Sequence, residues 1–304
     1  PKNGLLIGAG YIGMEMAESF TEAGMKVTVV EKMPNILGTM DDEIVEIIEK
    51  TLIANGVTLL KSKAVTEFVG NNSHLSRAVL DSGELVDADI AIVGAGLRPN
   101  SEIAREAGIE LGRTGAIKVN QRMETKVTDI YAVGDCAEAY HLVLGRNVYI
   151  PLATTANKQG IVAGENIAGG NASFPGIVGT AIFKVFDLEV ARTGITEKEA
   201  KAEGIEYVSN VIEHDSRAPY YPGVSKIRVK LLADKKTGRL LGAQMVGKEG
   251  VAKRIDVFAT ALTVKMTARE MRDLDLGYSP PFSPPYDAIL IAADEIQKKL
   301  TDKK

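Results

Sequence analysis

Gly4-Leu5-Leu6-Ile7-Gly8-Ala9-Gly10-Tyr11-Ile12-Gly13, followed by Val27-Thr28-Val29-Val30-Glu31, decides the fold of this chain. Leu5–Ile7 reads as a short apolar strand, and Gly8 lets the chain turn sharply out of it. Gly10 leaves no side chain where a pyrophosphate must approach the backbone, and Gly13 lets the next helix pack close to the sheet. That helix, expected from Gly13 to about Ala23, aims free N–H groups and its positive dipole end at the phosphates. Glu31 ends a second strand, Lys26–Val30. A carboxylate there accepts hydrogen bonds from adenosine ribose hydroxyls and repels a 2′-phosphate. Lys32, its neighbour, softens that preference for NADH over NADPH. A lone GxGxxG is a weak signal; with the strand before it, the helix after it and the acid at this distance, it is a strong one.

The rest of the composition bounds the class. A chain of 304 residues has room for two or three domains. A hydrophobic content of 45% supports ordinary buried cores, and a net charge of −4 argues against a nucleic-acid partner. No uninterrupted apolar stretch reaches membrane-spanning length, and no signal sequence is read ahead of the first strand. A cytoplasmic home without membrane attachment is the expectation. One cysteine, Cys136, excludes an intramolecular disulfide and a Cys-x-x-Cys redox pair. Aromatic residues are scarce, so the grouping of Tyr220, Tyr221, Tyr278, Phe282 and Tyr286 stands out.

Downstream of Glu31 a helix is expected over about 41–55, with Ile44, Ile48 and Leu52 on one face and Gly56 as its stop. Strands are read at 57–60, 64–69, 75–80 and 85–86, the last two flanking an Asp81-Ser82-Gly83 hairpin turn. The apolar run 88–93 reads as a buried strand. The expected domains are then 1–111, a Rossmann-like dinucleotide-binding domain; 112–176, a segment too short to bury its own core; and 177–304. The middle segment is read with strands at 116–119 and 130–133 and a helix from about Leu152. The last domain alternates short strands with helices opened by two capping boxes, Thr196–Glu199 and Thr267–Glu270, and reads as α+β. Its helix 251–266 is amphipathic, and only the Lys-rich end, 297–304, looks frayed.

A second nucleotide-type signature is Thr128-Asp129-Ile130-Tyr131-Ala132-Val133-Gly134-Asp135. At the end of a parallel strand a carboxylate can bond a polyol hydroxyl while the glycine lets a ligand approach. A strand ending at a surface turn accounts for the Gly-Asp pair equally well. Pro151-Leu152-Ala153-Thr154-Thr155-Ala156-Asn157-Lys158-Gln159-Gly160 then opens a helix whose dipole can stabilise negative charge on a reduced flavin ring. Two such signatures in one chain point to electron transfer between two cofactors.

Together these motifs resemble the flavoprotein disulfide reductase superfamily, in its order and over nearly the whole chain. The resemblance implies an FAD-dependent NAD(P)H oxidoreductase: a nucleotide domain, part of an FAD-binding domain and a C-terminal α+β dimerisation domain. It implies that Ile12, Glu31 and Gly96 touch NADH or NADPH, that Asp135 binds the flavin ribityl chain beside Gly134, and that Leu152, Ala153 and Thr154 lie along the flavin ring. The His-Pro pair of glutathione-reductase-like enzymes is absent, and His74, His141 and His214 read as solvated. Ala218-Pro219-Tyr220-Tyr221-Pro222-Gly223 and Tyr278-Ser279-Pro280-Pro281-Phe282-Ser283-Pro284-Pro285-Tyr286 instead look like coenzyme A-disulfide and persulfide reductases. By that resemblance Tyr221 and Tyr278 reach across a homodimer to the partner's redox site, and Asn157 and Tyr286 contact substrate. The proline-rich run equally suits a rigid extended segment packed on a neighbour. Lys253-Arg254 reads as a solvated helix face, with coenzyme A phosphates as the other reading.

The resemblance also implies a first flavin half with its own glycine turn and a nucleophilic cysteine, and this chain carries neither. Cys136 reads as a packing residue. The expectation is a C-terminal portion of a longer flavoenzyme, short by roughly 100–150 residues, about one domain. Its substrate would be a small disulfide, persulfide or coenzyme A species. An NADH oxidase or peroxidase of the same architecture, and a catalytically silent NAD-binding dimerisation module, are the competing readings.

Overall fold

The computed structural model describes residues 1–301. Contacts divide the chain into two compact units: residues 1–96 with 182–261 and 265–304, and residues 97–181 with 262–264.

The first unit begins with β1 (Asn3–Ile7), α1 (Tyr11–Glu22), β2 (Lys26–Glu31), α2 (Asp42–Ala54) and β3 (Thr58–Lys61). A meander follows, β4 (Val65–Asn71), β5 (His74–Leu80) and β6 (Leu85–Asp87), before the chain returns as β7 (Ile90–Val93). The order β3-β2-β1-β7 makes a four-stranded sheet in which all neighbours are parallel. Parallel order forces crossovers, which α1 and α2 supply. Helix α2 buries Ile44, Ile48 and Leu52 and keeps acids in its first turn, where the helix dipole favours them. The run at 88–93 is not a buried strand. β7 lies at the sheet edge, so Ile90 and Val93 are exposed.

The second unit holds a short helix, α3 (Glu102–Glu106), a hairpin of β8 (Ala139–His141) and β9 (Arg146–Val148), and α4 (Ala153–Ile167). The strands expected at 116–119 and 130–133 reduce to isolated bridges at Ile117 and Tyr131. Left-handed backbone at Asp129 and Gly134 bounds the second run on both sides and keeps it short. Its apolar interior gathers Met123, Val148, Val162, Phe174 and Ile177. His141, expected in solvent, is buried, and its Nδ1 accepts from the N–H groups of Val143 and Leu144 at 3.2 and 3.3 Å.

The chain continues with β10 (Ala181–Val185), β11 (Leu188–Gly194), α5 (Glu197–Ala202), β12 (Tyr207–Asp215), β13 (Lys226–Asp234), β14 (Leu240–Gly247), α6 (Val251–Thr263), α7 (Ala268–Arg272) and α8 (Ala288–Thr301). The five strands order as β10-β11-β14-β13-β12, and both capping boxes form. Helix α6 stops before residue 266, because Lys265 turns left-handed and the Met266 N–H closes onto the Ala261 carbonyl. Residues 297–301, read as frayed, continue α8; 302–304 lie outside the described residues. Phe183, Val185, Leu188, Val190 and Val246 share one core with α1, α2 and β2. That shared core makes the nucleotide half and the C-terminal half a single unit.

Candidate functional site

Three glycines shape the turn after β1, each for a different reason. Gly8 has φ +101°, and a Cβ there would lie 2.4 Å from the Gly94 carbonyl oxygen. A Cβ on Gly13 would lie 2.2 Å from the Gly8 oxygen. Both positions are closed to side chains by the protein itself. Gly10 is different: a Cβ there would meet nothing within 4 Å. No packing demands glycine at this position, so the space in front of it is left for something else to occupy.

Gly10 caps α1 with no side-chain acceptor, which leaves the first-turn N–H groups open to an anion. The Glu31 carboxylate is fixed by two backbone donors, Ala9 N–H and Met33 N–H, each at 2.8 Å. It therefore links the glycine turn to the loop that follows β2. A cavity of about 630 Å³ opens here, lined by Gly8, Gly10, Glu31, Lys32, Lys63 and Gly96. That volume is in the range of small-molecule sites. Gly96, at φ +105°, bounds it, whereas Ile12 is exposed on α1 outside the lining. Open space at Gly10, an uncapped helix start and an oriented carboxylate together fit a dinucleotide.

In the second unit the Gly134–Cys136 segment is a single 3-10 turn with Gly134 at φ +74°. Its anchor is Gln159 of α4, fully buried, whose Oε1 accepts from Gly134 N–H at 2.8 Å. The Gln159 Nε2 donates to the Glu138 carbonyl at 3.0 Å, so one amide clamps both sides of the turn. Asp135 is exposed beside it. Burial, and then the charges of Asp135 and Cys136, push the Tyr149 hydroxyl above its ordinary pKa. Cys136 is half-buried with its thiol on the Val133 carbonyl at 3.4 Å.

Helix α4 starts at Ala153 with no side-chain cap and no acid in its first turn. Leu152 and Thr154 line a cavity of about 470 Å³ with Lys158, Ile161 and Phe174, while Ala153 faces solvent outside that lining. Asn157 turns back on its own helix, donating to the Ala153 carbonyl at 2.9 Å. An exposed carboxylate beside a left-handed glycine, and a helix start open to negative charge, fit the polyol and ring of a flavin.

The third cluster is aromatic. The Tyr220 and Tyr278 hydroxyls lie 3.4 Å apart. That bond, with smaller contributions from burial and from the Tyr220 charge, raises the Tyr278 pKa above the usual phenol value. Tyr221 instead sits half-buried, its N–H on the Ala218 carbonyl. Tyr220, Phe282 and Tyr286 are 74%, 78% and 67% exposed. The loops that carry them are tied by Arg254, which is neither solvated nor open to a phosphate. Its Nε donates to Asp287 at 2.9 Å, and its second amino group reaches the carbonyls of Ser216 at 2.9 Å and Phe282 at 3.3 Å.

Gln159, the Arg254–Asp287 pair and the contact of Tyr220 with Tyr278 were missed by sequence reasoning. For Gln159 a signal existed. Thr155, Gln159, Val162 and Asn166 occupy one buried helical stripe, and polar groups on such a stripe need partners elsewhere. Among the described residues no cluster of His, Cys, Asp and Glu suits a metal ion, and no helix is long and apolar enough to cross a membrane.

Residues 1–160 match the model of the pyridine nucleotide-disulphide oxidoreductases, and residues 180–288 match the dimerisation domain of the same proteins. A Pyrococcus furiosus protein named NAD(P)H sulfur oxidoreductase (CoA-dependent) is 40% identical over 95% of this chain and 65% of its own length. A Methanocaldococcus jannaschii NADH oxidase is 38% identical over 98% of this chain and 66% of its own. Among solved structures, a NAD-dependent persulfide reductase from A. fulgidus superimposes with a TM-score of 0.94 at 43% identity, over 98% of this chain and 56% of that one. The chain thus spans less than two thirds of the length of these relatives. With the glycine turn, the Gly-Asp corner and the C-terminal sheet in matching order, the chain belongs to the pyridine nucleotide-disulphide oxidoreductase family.

Proposed function

We propose that this chain is the nucleotide-binding and dimerising portion of an FAD-dependent NAD(P)H oxidoreductase. Its substrate is coenzyme A disulfide, or a persulfide of coenzyme A or sulfur, and the redox cysteine comes from outside this chain. The observation that carries the reading is the Tyr220–Tyr278 hydroxyl pair on two exposed, proline-flanked loops. The names of the P. furiosus and A. fulgidus relatives support the sulfur substrate.

Bound FAD and NADH or NADPH supply the hydride and electron-pair chemistry that no side chain provides. The chain's own residues bind and orient. Gly8, Gly10 and Gly13 seat the pyrophosphate at α1, Glu31 takes the ribose hydroxyls, and Ile12 and Gly96 flank the nicotinamide side. Asp135, beside Gly134, bonds the ribityl chain. Leu152, Ala153 and Thr154 run along the flavin ring, where the open N–H groups at the start of α4 favour negative charge. Tyr278 hydrogen-bonds or protonates a leaving thiolate, which its phenol can do because it is neutral near pH 7. Tyr221 reaches the partner's redox site beside Tyr278, and Tyr220 supports Tyr278 through their hydroxyl contact. Asn157 and Tyr286 contact substrate. Two chains pair through residues 177–304 as a cytoplasmic homodimer, each lending its tyrosines to the other's site.

The M. jannaschii relative favours one alternative, an NADH oxidase. Anaerobic NADH consumption by the full-length flavoprotein with coenzyme A disulfide, compared with consumption under oxygen alone, separates the two. The proposal expects the disulfide to be the faster acceptor. It also expects Tyr278→Phe to slow that reaction by at least about tenfold while NADH-to-dye transfer is unchanged. Faster reduction of oxygen, or a fully active Tyr278→Phe, would overturn it. The isolated chain is expected to bind NADH and turn over nothing; catalysis by it alone would contradict the external cysteine.

A further inference from the structure

The loop between β2 and α2 forms one wall of the 630 Å³ nucleotide cavity, through Met33, Asn35, Leu37 and Gly38. Its N-terminal end is held locally, by Glu31 on Met33 N–H and by Leu37 N–H on the Ala9 carbonyl at 2.9 Å. Its other end is held by the C-terminal sheet. The Thr39 carbonyl accepts from Arg192 of β11, and the Met40 carbonyl accepts from Lys198 of α5. Asp41 donates its N–H to Gln244 Oε1 at 2.7 Å and accepts from Gln244 Nε2 at 2.6 Å.

Lys230 of β13 completes this anchor. It is 1% exposed, an extreme burial for a lysine. Its ammonium meets three carboxylates from two helices: Glu43 at 2.8 Å, Glu197 at 3.2 Å and Asp41 at 3.3 Å. An ammonium has three N–H donors, one for each. Without it, the buried Asp41 and the largely buried Glu197 would face each other and the more exposed Glu43, and Asp41 and Glu43 sit at the end of the nucleotide loop. Buried like charges repel strongly where water cannot screen them. The dinucleotide fingerprint contains none of Arg192, Lys230 and Gln244, which lie more than 150 residues downstream of the loop by sequence number.

We infer that Lys230, with Gln244, is a positioning residue for the nicotinamide nucleotide: the C-terminal sheet sets the cavity wall from behind. The inference rests on the nucleotide-binding reading above and extends it to residues that touch no ligand. Leu37 shows why the wall needs this support. It is a buried non-glycine residue at φ +48°, a conformation that persists only where its surroundings enforce it.

The test is NADH titration of the intact chain by fluorescence, with melting temperature recorded for each variant. Lys230→Met and Gln244→Ala should each weaken NADH binding by at least tenfold. Lys230→Arg, which restores the charge, should recover most of that loss. Glu43→Gln removes one acid at the solvent-facing side of the cluster and should change affinity less than threefold; Gln244→Ala keeps the inference testable if Lys230→Met fails to fold. Phe258→Leu, a core change in α6 far from the loop in sequence, gives the control for lost stability alone. It should lower the melting temperature and leave NADH affinity within twofold. Folded Lys230→Met and Gln244→Ala that bind NADH as the wild type does, or a Phe258→Leu that loses as much affinity as they do, would overturn the inference. A wild-type chain that binds no NADH would instead defeat the nucleotide reading itself.

Discussion

The Gly8–Gly13 turn and the Gly134–Cys136 turn both carry a glycine in left-handed backbone, yet they are built differently. The first stands on a ladder: β1 is paired on both sides, a 12-residue helix follows at once, and backbone oxygens forbid a Cβ at Gly8 and Gly13. The second has no strand beneath it. A side-chain amide from a helix 25 residues further on holds Gly134, and a Cβ on Gly134 would touch only Ala156 at an ordinary 3.6 Å. The first turn is fixed by steric exclusion, the second by hydrogen bonds. The two should therefore fail under different substitutions.

Gly13→Ala should be more damaging than any single change at the second turn. Its methyl must displace a carbonyl oxygen 2.2 Å away, and the expected loss is about 3 kcal/mol, read from the denaturant midpoint. Gly134→Ala has room for its methyl and pays only for the left-handed backbone, about 1 kcal/mol. Equal losses at both glycines would erase the distinction between the turns. Gln159→Ala should cost about 2 kcal/mol by leaving the Gly134 N–H and the Glu138 carbonyl without their partner. A Gln159→Ala protein of wild-type stability would show that the second turn is held some other way.

Smaller effects sharpen the first turn. Glu31→Gln keeps one acceptor oxygen where the carboxylate offers two, so it can hold Ala9 N–H or Met33 N–H but not both. NADH affinity should fall about tenfold, near 1.4 kcal/mol, by fluorescence titration, with NADPH less affected. Lys32→Ala should be the mildest. Removing an exposed cation from the cavity rim should weaken NADPH binding about threefold and leave NADH unchanged. A loss common to both nucleotides would deny Lys32 any role at the 2′ position.

This contrast also explains how much could be read from the chain. The first turn was legible because its parts follow one another in order: three glycines within six residues, a helix directly after, and an acid at the end of the next strand; only the Gly94 carbonyl that closes Gly8 comes from far along the chain. Helix α2 and the two capping boxes were legible for the same reason. The second turn was legible as a motif but not as a structure. The run at 130–133 is bounded by left-handed Asp129 and Gly134 and keeps a single bridge at Tyr131, and the turn's anchor is a glutamine inside a helix read only for its dipole. Arg254 was misread because its partner, Asp287, comes 33 residues later, at the start of another helix. The tyrosine motif was found, yet which of two adjacent tyrosines faces Tyr278 depends on a turn that places the Tyr221 N–H on Ala218. Such pairings depend on tertiary packing, and no periodicity in the sequence announces them.

The most direct test of the central claim uses Gly10, the glycine that the protein's own packing does not require. Its backbone, at φ −81° and ψ −171°, is ordinary for a helix N-cap, and a Cβ would meet nothing within 4 Å. Threonine is a good N-cap residue, so Gly10→Thr should fold at least as stably as the wild type. Its side chain would occupy the space that the proposed function gives to a pyrophosphate and satisfy the N–H groups at the start of α1. The account predicts an unchanged or raised melting temperature with NADH affinity lowered by well over tenfold. A stable Gly10→Thr chain that binds NADH as the wild type does would contradict it.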